Sequence, residues 1–274
     1  MHTIVWSRFV RAPFLLALFL FLTVLLAACT DTAAGDDREL TVFAASSLTD
    51  AFQELAERYE AEHPGVAVRL NLGASSQLAT QLMEGAPADL FASANMEQMQ
   101  LLVDAGQVAP DAPTRFASNH LVLIVPANNP AAIDSLQALA EPGVKLVTTN
   151  PAVPIGRYTR QALAAMDESG EFPEGFEAAV LRNIVSEEAN VRQVVTKVQL
   201  GEADAAIVYA SDVTPNERGA LERIPIPDRY NVRASYPIAP LTNVRNPDLA
   251  ADFIEFVCSD EGEAILAEWG FMPP

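Results

Sequence analysis

The chain has 274 residues, half of them hydrophobic, with 17 Lys and Arg residues against 36 Asp and Glu residues. This length suits one large domain or two modest lobes with a sizeable core. The basic residues before Cys29 are Arg8 and Arg11, so the chain from Cys29 onward carries 15 minus 36, or −21, formal charges. Nucleic acid and anionic membrane surfaces are therefore excluded as partners, because phosphate groups require clustered Lys and Arg. A small anion is not excluded, since a few oriented dipoles can hold it.

The N-terminal residues 1–28 are typical of a lipoprotein signal peptide. Arg8 and Arg11 precede an apolar run at 14–28 that is short for a membrane span. The run ends in Leu-Ala-Ala-Cys at 26–29, which resembles a lipobox, so Cys29 is the expected lipidation site. A plain secretory signal is the alternative. Residues 29–38 predict a flexible tether, and the protein is expected on the outer face of the cytoplasmic membrane, held only by its lipid anchor.

After the tether, strand patterns alternate with helical periodicity, which favours an α/β fold with largely parallel sheets. Strands are predicted at 40–45, 66–72, 89–92, 120–125, 145–148, 183–185, 204–209 and 236–241. Helices are predicted at 48–59, 76–84, 96–105, 158–166 and 191–200, and helical segments again at 247–269. The second series repeats the first in outline. We therefore expect lobe I at 39–119 and 237–274, lobe II at 120–236, and a ligand cleft between the lobes.

Two strand-to-helix junctions in the first series offer serine hydroxyls. Ser47 follows the first strand at the expected N-cap of a helix, and Asp50 completes a capping-box pattern. A cap alone explains Ser47 equally well, although a capping hydroxyl still has a proton to donate outward. The second junction, at 73–78, contains Ser75 and Ser76, of which one is expected to cap the helix and the other to face the cleft. The carboxyl ends of strands meeting helix N-termini make an anion site.

The second series adds two backbone junctions and a tyrosine. Residues 150–158 contain two prolines and a glycine, and their turn is expected to aim the first amides of the next helix at the cleft. The helix that opens at Val191 presents another amide. Tyr209 ends a strand, and its hydroxyl is within reach of the same point. A structural turn and a core tyrosine are the alternatives for these positions.

Several motifs occur together in one order along the chain: Phe-Ala-Ala-Ser-Ser-Leu-Thr at 43–49, Gly-Ala-Pro-Ala-Asp-Leu-Phe-Ala-Ser-Ala at 85–94, Asn-Val-Arg at 190–192 and Ile-Val-Tyr-Ala-Ser-Asp at 207–212. They resemble the periplasmic molybdate-binding proteins of ABC transporters, from about Glu39 to the Trp-Gly-Phe at 269–271.

The resemblance implies a two-lobed type II periplasmic-binding-protein fold, in which each lobe has a mixed, mostly parallel sheet flanked by helices. It implies a site for molybdate or tungstate made of the hydroxyls of Ser47, Ser75 and Tyr209 and the amides of Ile155 and Val191. Ile155 replaces the alanine that is common in the family, which affects the shape of the cleft. A monomer without a cofactor that delivers its ion to an ABC permease is expected.

Three other functions compete with this interpretation. Another oxyanion, chiefly sulfate, is the serious alternative. A serine hydrolase would need a base beside Ser47 or Ser75, but His63 and His120 are not in recognisable nucleophile motifs. A ferric-ion site would need clustered carboxylates or tyrosines, whereas the four junctions offer hydroxyls and amides. We therefore expect a binding protein and no enzyme. Arg157 and Arg192 are expected to flank the helix starts without holding the ion.

Overall fold

A computed structural model describes residues 2, 38–214 and 219–274. The predicted signal peptide, the lipidation site Cys29 and nearly all of the predicted tether lie outside the described residues. The last residue of that tether, Arg38, lies in a turn, and its guanidinium donates to the Pro64 carbonyl at 2.6 Å. Residues Arg38–Pro274 form one compact unit. Within the described ranges, no helix combines the length and apolar character needed to cross a bilayer.

The described chain alternates strands and helices. The strands are β1 (Glu39–Ala45), β2 (Ala67–Gly73), β3 (Leu90–Ala92), β4 (Thr114–Asn119), β5 (Leu121–Pro126), β6 (Leu146–Thr149), β7 (Ile184–Glu188), β8 (Ala206–Tyr209), β9 (Leu221–Pro225) and β10 (Ala234–Pro240). The helices are α1 (Thr49–Glu62), α2 (Ser75–Met83), α3 (Met96–Asp104), α4 (Pro154–Glu168), α5 (Phe176–Arg182), α6 (Val191–Gln199), α7 (Pro247–Val257) and α8 (Asp260–Glu268). Short 3-10 turns span Ser46–Leu48, Gln137–Ala140 and Ala210–Asp212.

The larger sheet has five strands in the order β2-β1-β3-β10-β4. Strands β1, β2 and β3 are parallel, whereas β10 runs antiparallel to both β3 and β4. Successive side chains of β1 point to opposite faces, so Val42 joins the cluster that contains Phe52 of α1, while Phe43 joins the cluster of Leu78 and Met99. Helices therefore cover both faces of this sheet.

The other strands form a three-stranded antiparallel sheet, β8-β5-β9, and a parallel pair, β6-β7. An isolated parallel bridge between Leu146 and Ala205 joins β6 to the start of β8. The carboxyl ends of β6, β7 and β8 consequently lie on one side, as do those of β1, β2 and β3. This arrangement places the strand-to-helix junctions where a ligand site can form.

The chain passes twice between the five-stranded sheet and the other strands. The first passage is His120, the single residue between β4 and β5, and the second lies between β9 and β10. Asn231 ties the two passages together, because its side chain accepts from the Leu121 amide at 2.8 Å and donates to the Leu121 carbonyl at 2.9 Å.

The structure differs from the sequence-based prediction in detail. Parallel pairs form between strands that lead into helices. The strands next to the two passages pair in antiparallel fashion, and such pairs need no helical crossover. Strands β4 and β9 and helix α5 were not predicted. Helix α4 begins at Pro154 instead of 158, because proline at the first helical position fits the helix and lacks only an N–H that would have no intrahelical partner.

Candidate functional site

The strand-to-helix junctions converge on one small cavity with a volume of about 10 Å³. It therefore suits a ligand far smaller than the drug-sized molecules whose sites occupy roughly 300–1,000 Å³. Its eleven lining residues include all five predicted ligand-binding residues, and the full set is Ala45, Ser46, Ser47, Ala74, Ser75, Ala94, Val153, Pro154, Ile155, Val191 and Tyr209. The structure therefore brings together residues that are up to 162 positions apart in the chain, from 47 to 209.

Ser47 reaches the cavity from the 3-10 turn after β1. It is 3% exposed, and its Oγ lies 3.1 Å from the Tyr236 hydroxyl. The predicted capping box is wrong, because the 3-10 turn delays the helix until Thr49 and neither segment has a side-chain cap. Asp50 instead pairs with Arg192. Ser47 is thus held by a tyrosine of β10 that the sequence analysis did not assign to the site.

Ser75 is the first residue of α2 and is buried. Its Oγ accepts a hydrogen bond from the Ala94 amide at 3.0 Å. Because the oxygen is the acceptor there, the hydroxyl proton remains for a second partner. Ala94 itself follows β3, so this bond links the junction after β2 to the junction after β3, on either side of β1.

The helix starts around the cavity leave backbone N–H groups available. No side chain caps the 3-10 turn at Ser46, helix α2 or helix α4, whereas helices α3, α7 and α8 carry Asn or Ser caps. Helix α6 is capped by Asn190, but that side chain accepts from Gln193, two residues beyond Val191. Uncapped first-turn amides together with the helix dipole attract negative charge. Ile155 and Val191 lie in these first turns.

Tyr209 supplies the third hydroxyl, at the end of β8. The residue is 1% exposed, and its Oη has no hydrogen-bond partner among the described residues. Its ring makes edge contacts with Tyr158 and Tyr236, at centroid distances of 6.3 and 5.9 Å. Burial raises the pKa of the Tyr209 phenol well above its ordinary value, and Tyr236 adds to the effect. The group is therefore a protonated donor at neutral pH.

Charged side chains surround the cavity without lining it. Among its lining residues, all from the described ranges, none is a carboxylate, lysine or arginine. Arg192 pairs with Asp50, and Arg157 pairs with Glu97. Both arginines thus flank the helix starts. Their acidic partners lie on helices packed on the five-stranded sheet, and these two pairs were not predicted from the sequence.

The described residues show neither a serine–histidine pair nor a cluster of His, Cys, Asp and Glu side chains at this cavity. Ser47 bonds to Tyr236 and Ser75 to Ala94, and the ring of His63 stacks on Tyr59 beside Asp252. Neither serine is hydrogen-bonded to a histidine in the described part of the chain. Within the same ranges, no group of three or more His, Cys, Asp or Glu side chains is placed to hold a metal ion.

Comparison with known proteins identifies the family. The model of the bacterial extracellular solute-binding protein family matches residues 40–272. The chain belongs to this family. The chain is 39% identical to the molybdate-binding protein ModA of Mycobacterium tuberculosis, over 86% of this chain and 85% of the relative. It is 30% identical to Bacillus subtilis YvgL, provisionally named an ABC transporter substrate-binding lipoprotein, over 94% and 96% of the two chains.

Solved structures share the fold of this solute-binding protein. The Azotobacter vinelandii periplasmic molybdate-binding protein matches with a TM-score of 0.73 and 22% identity, over 86% of this chain and 99% of that one. The sulfate-binding protein SubI of Mycobacterium tuberculosis matches with a TM-score of 0.75 and 20% identity, over 86% of each chain. The predicted type II periplasmic-binding-protein fold is confirmed, and the fold alone does not distinguish the two anions.

Proposed function

We propose that this solute-binding protein captures molybdate or tungstate outside the cytoplasmic membrane and delivers it, as a monomer without a cofactor, to the permease of an ABC transporter. The hydroxyls of Ser47, Ser75 and Tyr209 and the amides of Ile155 and Val191 hold the ion. Residues 39–119 and 237–274 form one lobe, residues 120–236 form the other, and the ion lies between them. The names of the ModA relatives support this choice of ligand.

The observation that carries the proposal is the Tyr209 hydroxyl. It is fully buried at the cavity and has no partner among the described residues. Leaving a buried polar group unpaired costs about 1–3 kcal/mol, so a ligand that accepts from this hydroxyl is favoured. A tetrahedral oxyanion in the cavity supplies that acceptor. The starts of α2 and α4 carry no side-chain cap, which leaves their first-turn amides to donate as well.

The described cavity lining has no carboxylate side chain to accept a proton from the ligand, which favours a fully deprotonated anion. Molybdate and tungstate are bare dianions at neutral pH, whereas monohydrogen phosphate brings a proton that needs an acceptor. Leaving that proton unpaired costs about 1–3 kcal/mol, which is roughly five- to a hundredfold in affinity. The site is therefore expected to reject phosphate.

Sulfate is the second candidate, because SubI has the same fold. Sulfate is also a bare tetrahedral dianion, but it is smaller. A rigid ring of donors sized for molybdate cannot contract around sulfate without lengthening its hydrogen bonds. Ion size is consequently the property that separates these two ligands.

Calorimetry of residues 30–274 with four anions tests the proposal. We expect tight binding of molybdate and tungstate, weaker binding of sulfate, and binding of phosphate that is roughly five- to a hundredfold weaker than that of molybdate. Tighter binding of sulfate than of molybdate would replace the proposed ligand with sulfate. Binding of none of the four anions would reject the oxyanion site.

The proposed location rests on lipidation of Cys29, and the name of YvgL supports it. In cells, Cys29→Ser is expected to move the protein from the membrane fraction to the soluble fraction, because the anchor is lost while the binding fold is untouched. Ser259→Ala, a change at a helix cap far along the chain, serves as the matched control and is expected to stay in the membrane fraction. Equal membrane retention of the Cys29→Ser protein would contradict the lipid anchor.

A further inference from the structure

Arg192 connects the two sides of the cavity through a small charged network. It follows Val191 at the start of α6, and its side chain is 23% exposed. Its Nε donates to the Ser46 carbonyl at 3.2 Å, and its terminal nitrogen pairs with Asp50 of α1. The fully buried carboxylate of Asp212 lies 4.0 Å from the same Nε. Arg192 is absent from the cavity lining, so it is not a direct ligand group.

The Ser46 carbonyl has an unusual number of donors. It accepts from the Thr49 amide, from the Thr49 hydroxyl at 2.7 Å and from Arg192 Nε at 3.2 Å. The nitrogen of the same peptide group is the amide of Ser47. Hydrogen bonds to a carbonyl polarise its peptide and strengthen the N–H as a donor, and a charged donor does so most. The positive charge thus acts on the Ser47 amide through the peptide bond.

The guanidinium also fixes the distance between two parts of the site. Ser46 and Asp50 belong to the segment after β1, whereas Val191 and Arg192 open the helix after β7. A guanidinium presents several N–H groups in a fixed plane, so it bonds to the carbonyl and the carboxylate at once. A lysine ammonium carries the same charge without that fork. The carboxylates of Asp50 and Asp212 hold the group beside the peptide.

We propose that Arg192 is a positioning residue for the bound oxyanion: it orients and polarises the Ser46–Ser47 peptide and holds that peptide against the amide of Val191. The inference rests on the proposed function of the cavity. On this proposal, Arg192 slows release of the bound ion. Arg157 differs, because it pairs with Glu97 and has no described bond to a carbonyl of the cavity lining.

Rates of ion release test this role in the full chain. With molybdate as the probe, Arg192→Gln and Arg192→Lys are both expected to release the ion about tenfold faster, as expected for one charge-assisted hydrogen bond. The matched control Arg157→Gln also removes an ion pair that spans the two sides, but this pair is partly exposed and bonds to no described carbonyl of the cavity lining, so its release rate is expected to stay within about twofold of wild type. In a Ser47→Ala background the effect of Arg192→Gln is expected to shrink, because the two residues act on one turn.

Three results would overturn the proposal. They are wild-type release from Arg192→Gln, full rescue by Arg192→Lys, and equal acceleration by Arg157→Gln. If the wild-type protein binds no molybdate, the proposed function is wrong, but the role of Arg192 can still be tested. Hydrogen exchange of the ligand-free protein then shows whether Arg192 positions the Ser46–Ser47 peptide. Arg192→Gln is expected to speed exchange of the amides at 47–50 relative to wild type and Arg157→Gln, and unchanged exchange would refute the positioning role.

Discussion

At the scale of single residues, the buried tyrosines Tyr209 and Tyr236 differ in one respect. Their rings are 5.9 Å apart, and each is at most 1% exposed. The Tyr236 hydroxyl is hydrogen-bonded to Ser47, whereas the Tyr209 hydroxyl has no partner in the described part of the chain. The Tyr236 hydroxyl therefore stabilises the free protein, whereas the Tyr209 hydroxyl is left for a bound anion.

Replacing each tyrosine with phenylalanine separates these effects. Tyr209→Phe is expected to leave the free protein at least as stable as wild type and to weaken molybdate binding about tenfold or more. Tyr236→Phe is expected to lower the free energy of unfolding by about 0.5–1.5 kcal/mol. Urea unfolding without ligand and calorimetry with molybdate give the two values. A Tyr209→Phe protein that is destabilised but binds normally would show that the hydroxyl has a structural role only.

Asp89, before β3, gives a prediction of pH dependence. The buried carboxylate accepts from the Thr41 amide at 2.7 Å and from Arg245 at 2.9 Å. Burial opposes its ionisation, but the hydrogen bonds from Arg245 and Thr41 outweigh burial and hold the pKa of Asp89 below its ordinary 3.8. Since the folded-state pKa is depressed, the stabilisation is present above the unfolded-state pKa and disappears as pH falls through the folded-state pKa.

Asp89→Asn is therefore expected to lower the free energy of unfolding by about 1–3 kcal/mol at pH 7, because Arg245 loses a charged partner. The loss stays moderate because Arg245 is itself partly exposed to solvent. The difference from wild type should shrink as the pH falls below 3.8. Urea midpoints measured from pH 7 down to pH 3 check this. A difference that is independent of pH would mean that the carboxylate charge is not the stabilising feature.

At the scale of secondary structure elements, the position of α4 depends on Gly156. A Cβ at this residue would lie 2.3 Å from the Asn150 carbonyl oxygen and 2.5 Å from that of Thr149. Both obstacles are backbone atoms that cannot rotate away. Glycine thus lets the first turn of α4 contact the end of β6, and this contact places Ile155 at the cavity.

Gly156→Ala is expected to push the first turn of α4 away, to destabilise the protein by about 1–3 kcal/mol and to weaken molybdate binding. Gly73→Ala is the matched control, because its Cβ would meet only the flexible end of Leu78, at 3.3 Å. Thermal unfolding and calorimetry of both proteins provide the test. Equal, small effects of the two substitutions would show that the close approach at Gly156 is not required.

The junctions were predictable from sequence because each is a local pattern, a strand followed by a helix start. The contacts that set their details are not local. The sequence predicts Ser47 at an N-cap and as a donor to the ion, yet its orientation depends on Tyr236, which is 189 positions away. Helix α5 was missed because it has only seven residues, of which Phe176 and Val180 are buried. Strand β9 was missed because most of its residues face solvent, and β5 determines its pairing.

At the scale of the whole molecule, the two sides of the cavity are linked by two chain passages and two ion pairs. Asn231 joins the passages through Leu121, and the pairs Arg192–Asp50 and Arg157–Glu97 span the two sides. These ion pairs and the small cavity describe a closed arrangement. A ligand stabilises that arrangement only if it binds the closed state better than the open one.

Small-angle scattering is therefore expected to show a smaller radius of gyration with saturating molybdate than without it. The change should be reduced in the Tyr209→Phe protein at the same molybdate concentration, because less of that protein is bound. Superimposable curves for wild type with and without the ion would argue for a rigid site and against closure of two lobes.

The central claim is that neutral donors hold a dianion in this cavity, and a crystal structure with bound molybdate tests it most directly. Anomalous diffraction at the molybdenum edge locates the metal without reference to the protein atoms. We expect one strong peak inside the cavity, with the ion's oxygens accepting from Ser47, Ser75 and Tyr209 and from the amides of Ile155 and Val191. A peak outside the cavity, or an ion bonded directly to the side chain of Arg157 or Arg192, would contradict the account.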